Sequence, residues 1–338
     1  MTHLSISQKL IAKKAGVSCS TVSRAFTKNA RIHPETLAKI QAAMKELGIE
    51  DPNAVLSSPP PVRQVLIIVP DISDAFHADT IKGISDKLYK SGMIASLCNS
   101  NHDDFQITET YLNYAEANHF AGVIMLSVVA SPPLIELLKH YSIPVILVNR
   151  FIRTLDMDVV CIDNYRGGYM AARCLIENGH EKIAFLAGNR LSTAPQDRLR
   201  GFSDAMADAG IPFTPDQIYY GADNTRSSGR DFVNHFFTPG NPYTALFASS
   251  NPTAIGALTQ LLELGYSVPD DVSIICFDDT PLVNDGKIKL TTVGYEPYLI
   301  GSAAVDSLLS RIDKPFAEKI KVTYSPHLTM RDSIRKLS

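Results

Sequence analysis

No apolar run in this 338-residue chain approaches bilayer-spanning length, and Met1-Thr2-His3 opens no secretory signal, so a cytoplasmic protein with no membrane partner is expected. The five cysteines (Cys19, Cys98, Cys161, Cys174, Cys276) are odd in number, scattered and without CxxC spacing. That argues against a disulfide framework and against a zinc site. The nine histidines form no HExxH-like cluster. A GxxxxGK[ST] phosphate loop, a GxGxxG after the first strand-like run and a GxSxG elbow are also missing. No cofactor is therefore expected. Asp278-Asp279 resembles a pair of catalytic carboxylates, but adjacent residues at an extended strand end point apart.

What is present is an uneven spread of charge. Residues 1–50 hold eight Lys/Arg and three acids, a net +5, whereas the whole chain is −3, which leaves −8 on residues 51–338. A basic head on an acidic body points to a polyanion partner for the head alone. Within it, Ile11 to Ala15 read as the end of a short helix, and Gly16 permits the positive φ of a tight turn. Ser18 is a good N-cap for a second helix. Ala15 and Val17 can pack against Val22, so the helices cross steeply and Cys19, Ser20, Ser23 and Arg24 face outward. This is a helix-turn-helix pattern, whose second helix enters the DNA major groove; the plain alternative is a helical hairpin that binds nothing. A third helix follows His33-Pro34-Glu35-Thr36, with Leu37, Ile40, Ala43, Met44 and Leu47 on one face and Gly48 at its end.

Residues 51–63 read as a stiff linker because of Pro59-Pro60-Pro61. Beyond it, strand-like apolar runs alternate with amphipathic helices: Val65–Val69, Ile94–Leu97, Val123–Leu126 and Val145–Val148, then Ile183–Leu186, Gln217–Tyr220, Ala245–Ala248 and Val272–Phe277. That alternation implies right-handed βαβ units and two doubly wound parallel-sheet lobes. A strand near Leu290–Val293, a helix Pro297–Ile312 and a strand Ile320–Tyr324 are expected to return the chain to lobe one. Ligands bind outside the carboxyl ends of such strands. The candidates there are Asp71, Asp74, Ser127, Asn149 and Arg150 in lobe one, and Asn189, Arg190, Ser249 to Asn251, Asp278 and Asp279 in lobe two.

The chain resembles the LacI/GalR family of bacterial transcription regulators along nearly its whole length. The carriers include Ala15-Gly16-Val17-Ser18 with Thr21-Val22-Ser23-Arg24, Ile162-Asp163-Asn164-Tyr165 with Gly167-Gly168-Tyr169, Arg198-Leu199-Arg200-Gly201-Phe202, Val268-Pro269-Asp270-Asp271 and Phe277-Asp278-Asp279. The resemblance implies a homodimer on a palindromic double-stranded operator and a body, similar to a periplasmic sugar-binding protein, that senses a small molecule. The implied layout is a three-helix DNA-binding domain at 1–50, a hinge at 51–63 and an effector-binding and dimerisation domain at 64–338. Lobe one is expected at about 64–163 and 292–324, and lobe two at about 164–291 and 325–338. By the same resemblance, Cys19, Ser20 and Arg24 read base edges, and Ser7, Thr21, Ser23 and Thr36 contact phosphates, with Ser18 beside them. In the cleft, Phe76 packs on the effector, Arg198 grips a hydroxyl or carboxylate, and Asp278 accepts from hydroxyls; Asn149 and Asp163 are further carry-overs.

Three departures stand out. The family's hinge helix is cut short here by Ala54-Val55-Leu56-Ser57-Ser58 and three prolines, with Glu50-Asp51 adding negative charge. The family's Asn-Asp pair before a lobe-two helix is Ser250-Asn251, and an expected aromatic is Asn224. These make the cleft more polar than a nucleobase site. The expected function is a regulator, most simply a repressor, controlled by a sugar or related metabolite. The competing readings are a solute-binding module and an α/β enzyme.

Overall fold

A computed structural model describes residues 6–25, 32–47, 63–73, 75–101, 104–190, 192–221 and 224–337 and divides the chain into two compact units, Met1–Arg63 and Gln64–Ser338. The linker expected at 51–63, up to residue 62, lies outside the described residues, as do Asp74 and the side chains of Ser7 and Ser23.

The first unit holds α1 (Ile6–Ala15), α2 (Cys19–Ala25) and α3 (Pro34–Glu46). Ile11, Val22 and Ile40 are fully buried, with Ala12, Ala43 and Met44 around them. Burying each branched side chain is worth roughly 1.5–3 kcal/mol, so a unit this small depends on all three. Gly16 takes φ +66°, the left-handed turn that separates α1 from α2. Ser18 caps α2, its Oγ accepting from the Thr21 N–H at 3.1 Å. Pro34 opens α3 at a position where no N–H is needed.

The second unit contains two six-stranded sheets. The first has the order β11-β5-β4-β3-β1-β2, built from β1 (Arg63–Val69), β2 (Met93–Asn99), β3 (Gly122–Leu126), β4 (Val145–Val148), β5 (Asp158–Ile162) and β11 (Lys321–Tyr324). The second has the order β12-β10-β9-β8-β6-β7, from β6 (Ile183–Ala187), β7 (Ile218–Tyr220), β8 (Ala245–Ala248), β9 (Ser273–Phe277), β10 (Thr291–Gly294) and β12 (His327–Thr329). Pairing is parallel from β1 through β3, β4 and β5 to β11, and from β7 through β6, β8 and β9 to β10. β12 pairs antiparallel, on β10. The inner strands β3, β4, β5, β6, β8, β9 and β10 are buried on both faces. In β1, Val65, Ile67 and Val69 join one apolar cluster while Leu66 and Ile68 join another, which is why it reads as an uninterrupted apolar run. Both sheets share the doubly wound order 2-1-3-4-5, with reversals between β1 and β3 and between β6 and β8.

The lobe boundary differs from expectation. The strand at 291–294 was expected to begin the return to lobe one at 292, yet β10 pairs with β9 in the second sheet, Thr291 opposite Ile275. The chain crosses only after Gly294, supplies the helix Pro297–Asp313 and β11 to lobe one, and returns with β12 to lobe two. Hydrogen bonding decides this: β9 would otherwise expose an unpaired edge. Two strands went unread in the sequence. β5 opens with Asp158, an acid that looks like loop but is 3% exposed and held bidentate by Arg311 at 2.7 and 2.9 Å. β12 is a three-residue edge strand with no apolar run.

Candidate functional site

The carboxyl ends of the two sheets line a cleft of about 550 Å³. On the lobe-one wall, Ser127, directly after β3, and Asn149, directly after β4, take φ +52° and +69°. Their N–H groups still bond to the neighbouring strands, at 2.9 Å to the carbonyls of Val148 and Val160. The left-handed turn thus comes within the ladder and holds both side chains at the strand ends. Such conformations cost about 1 kcal/mol or more in non-glycine residues and collect at functional sites. His77, in the first turn of the helix Ala75–Lys90, lies beneath them. Its Nδ1 is 2.8 Å from the Asp71 carbonyl and its Nε2 is 3.2 Å from Ser127 Oγ. Asn149 Nδ2 donates to Ser127 Oγ at 3.4 Å, and Asn149 Oδ1 is buried with no partner among the described residues.

The lobe-two wall centres on Arg198 in the helix Thr193–Asp208. Its guanidinium stacks 3.5 Å above the Phe277 ring. Nε donates to Asn164 Oδ1 at 2.8 Å and Nη1 to the Ser249 carbonyl. Nη2 makes no hydrogen bond to described residues and remains as a donor for a ligand. Burial lowers the guanidinium pKa to about 10, against the opposing pull of Asp278, so it stays charged at neutral pH. Gly167-Gly168 make room for this arrangement. A Cβ at Gly168 would fall 1.9 Å from the Arg198 carbonyl oxygen, and one at Gly167 would fall 2.4 Å from the Phe277 ring. Ser249, directly after β8, is 2% exposed, and its Oγ has no partner among the described residues. Asn251 locks the next loop: its Nδ2 donates to the carbonyls of Phe277 and Asp278 at 2.8 Å, and its Oδ1 accepts from Thr280.

Of the residues singled out in the sequence, Asp71, Phe76, Ser127, Asn149, Arg150, Asn189, Arg198, Asn224, Ser249, Ser250, Asn251 and Asp278 line the cleft. Ser250 Oγ is 2.9 Å from Thr253 Oγ1, in the first turn of the helix Asn251–Glu263. Asp278 sits at φ +71° after β9, the position that Asn149 holds after β4. Asp163 does not join them. Its carboxylate accepts from the Arg166 N–H at 2.9 Å and caps the helix Asn164–Glu177, and the neighbouring Asn164 meets Arg198 instead. Asp279 also turns away, held by Arg331 at 2.6 Å and Thr329 at 3.1 Å, so Asp278-Asp279 is not a facing pair. His77 and Asn164 were missed. His77 follows Phe76 at a helix start beyond a strand end, and that position was the available signal.

In the head, the hydroxyls of Ser18, Ser20 and Thr21 gather at the N-terminus of α2, 2.8 and 2.7 Å from Ser18 Oγ. Ser20 and Arg24 are exposed on α2, and Thr36 lies half-buried in the first turn of α3. Cys19 departs from the outward-facing expectation: it is half-buried and packs against the Ile11–Val22–Ile40 core, because the first turn of α2 closes over α1.

The family model described as "Bacterial regulatory proteins, lacI family" matches residues 9–50, and a periplasmic binding protein-like domain matches residues 172–334. The HTH-type transcriptional regulator DegA of Bacillus subtilis is 30% identical over 337 residues, covering 97% of this chain and 98% of that one. The HTH-type transcriptional repressor PurR of Mannheimia succiniciproducens is 26% identical, covering 98% and 99%. Among solved structures, the transcriptional regulator CelR in complex with cellobiose superposes with a TM-score of 0.73 at 27% identity, covering 96% of this chain and 99% of that one.

Proposed function

The chain belongs to the lacI family of bacterial regulatory proteins and is a DNA-binding transcriptional regulator; from that premise we propose that it acts in the cytoplasm as a homodimeric repressor on a palindromic operator, controlled by a small polyhydroxylated effector, with a sugar as first candidate. The observation that carries the effector class is a pair of buried polar atoms, Asn149 Oδ1 on one wall of the cleft and Ser249 Oγ on the other, without protein partners. Buried polar groups are satisfied in nearly all native structures, so each calls for a ligand group. A polyol supplies hydroxyls to both walls at once. A flat nucleobase fits less well, because Phe76 and His77 share one helix turn while Asn224 lines the lobe-two wall. The cellobiose bound by CelR supports the same class.

Binding in the cleft favours one angle between the lobes and shifts DNA affinity only by the difference in effector affinity between the two angles. In this reading Ser20 and Arg24 reach base edges, Ser7, Thr21, Ser23 and Thr36 reach phosphates, and Ser18 orders α2. A second copy is accommodated by edge strand β2, which leaves Ile94 and Leu97 exposed. The test is selection of duplexes from a random DNA library by the full chain, followed by titration of the winner. An inverted repeat is expected, with affinity falling steeply as salt rises. Arg24→Ala should weaken binding by ~1–3 kcal/mol while effector affinity holds. Equal operator binding by the variant, or a flat salt response, refutes the reading.

A further inference from the structure

The hydrogen bonds behind the lobe-one wall run in one direction. They start at the Asp71 carbonyl oxygen, which accepts and cannot donate. His77 Nδ1 lies 2.8 Å from it, so Nδ1 carries the hydrogen. In a neutral imidazole Nε2 is then bare and accepts. Ser127 Oγ, 3.2 Å away, must give its single hydrogen to Nε2 and can only accept at its other contact. That contact is the Asn149 amide, which is obliged to turn Nδ2 toward Ser127. Oδ1 is left as an acceptor without a partner at the cleft wall.

We infer that His77 is a specificity-determining positioning residue: acting through Ser127, it fixes which way round the Asn149 amide sits. The effector must therefore donate a hydroxyl or N–H at Asn149, and groups that only accept, such as carboxylate or phosphate oxygens, are turned away there. The two ends of an amide are nearly identical in shape, so packing alone does not choose between its orientations; hydrogen-bond polarity does. His77 and Ser127 are 5% and 8% exposed, so bulk water does not scramble the order. The inference rests on the cleft being the effector site, and it gives a role to a residue that need not touch the effector.

The test uses the full chain with 15N-labelled histidine. A long-range 1H–15N correlation spectrum reads the His77 tautomer without ligand, its signals identified by their loss in His77→Gln. Hydrogen on Nδ1 is expected; hydrogen on Nε2 overturns the relay. Calorimetry with cellobiose and D-ribose as probes forms the second arm. For a sugar that binds the parent, His77→Gln, which keeps an acceptor oxygen for Ser127, should stay within about threefold. His77→Leu should lose about tenfold or more. Ser127→Gly cuts the same relay at a backbone position that suits glycine, and it decides the matter should the leucine variant fail to fold. Equal affinities across the variants overturn the inference. If no sugar binds the parent while the Nδ1–H tautomer is present, the relay stands and the sugar reading falls.

Discussion

The two walls of the cleft are built to one plan and finished differently. Each lobe places a serine directly after the third strand of its sheet, Ser127 after β3 and Ser249 after β8. Each places a left-handed residue after the fourth, Asn149 after β4 and Asp278 after β9. In each lobe an arginine donates to the serine's carbonyl, Arg150 to Ser127 and Arg198 to Ser249. The difference lies in the serine hydroxyls. Ser127 Oγ is tied to His77 and Asn149, whereas Ser249 Oγ has no protein partner. Lobe one therefore presents a hydrogen-bond pattern ordered before any ligand arrives, and lobe two holds an unused hydroxyl beside a stacked cation. A shared topology positions polar groups at strand ends; the helix that follows the first strand of each lobe, with His77 in one and Arg198 in the other, decides what they present.

The lobes also differ in how their late strands are pinned, and breaking the pins gives the largest expected effect. Arg311 and Asp158 are about 5% and 4% exposed, and Arg311 also donates to the carbonyls of the 314–318 turn. Arg331 and Asp279 are less deeply buried. Arg311→Met leaves Asp158, whose carboxylate Arg311 and the Ile320 N–H hold below the usual range against its burial, without its main partner. It should cost ~3–5 kcal/mol in denaturant unfolding. Arg331→Met should cost less, and equal losses would erase this distinction between the lobes.

Next in size is Arg198→Lys. Lysine keeps the charge but lacks the planar fork that stacks on Phe277 while reaching Asn164 and Ser249. A fall in effector affinity by ~1.5–3 kcal/mol is expected by calorimetry. Preserved affinity would reduce the lobe-two wall to a point charge.

Lobe two also carries a buried histidine whose ionisation opposes folding. His180 is fully buried, with Nδ1 2.9 Å from Thr244 Oγ1 and Nε2 3.1 Å from the Arg335 carbonyl. Burial lowers its pKa, outweighing the opposing hydrogen bond to Arg335. The unfolded chain therefore takes up more protons below the ordinary histidine pKa of about 6.5. Stability from this group is complete above that pH and declines as pH falls toward the folded-state pKa, by at most ~1.4 kcal/mol per unit. Unfolding followed from pH 7 to 5 should show the decline, and His180→Gln should flatten part of it; an unchanged slope contradicts the assignment.

The smallest effect sharpens the serine comparison most. Ser249→Ala removes a buried hydroxyl that has no protein partner, so stability without effector should hold or rise slightly. Effector affinity should nevertheless fall by ~1 kcal/mol. Loss of stability with unchanged affinity would assign Ser249 to the fold rather than the ligand.

Much of this molecule is legible in one dimension because periodicity and special backbone residues are local. Ile11, Val22 and Ile40 declare the core of the head, Gly16 and Ser18 its turn, and the two-sided run Val65–Val69 a strand buried on both faces. The positions directly after the apolar runs likewise mark Ser127, Asn149 and Asp278 as strand-end residues of the cleft. Other features depended on partners far away in sequence. Asp158 became the start of a strand only through Arg311, 153 residues later. β10 was assigned to lobe two by its ladder with β9. Asp163 was diverted to a helix cap, and Cys19 was turned toward its core. His77 acquired its orientation from a carbonyl six residues back and a serine fifty residues on. Local chain stiffness and hydrophobic alternation are properties of neighbouring residues, so the sequence alone determined most of the elements and the strand ends that face the cleft. Which polar atoms there are paired, and which are left over, depends on donors and acceptors brought together across the fold, and only the tertiary structure decided it.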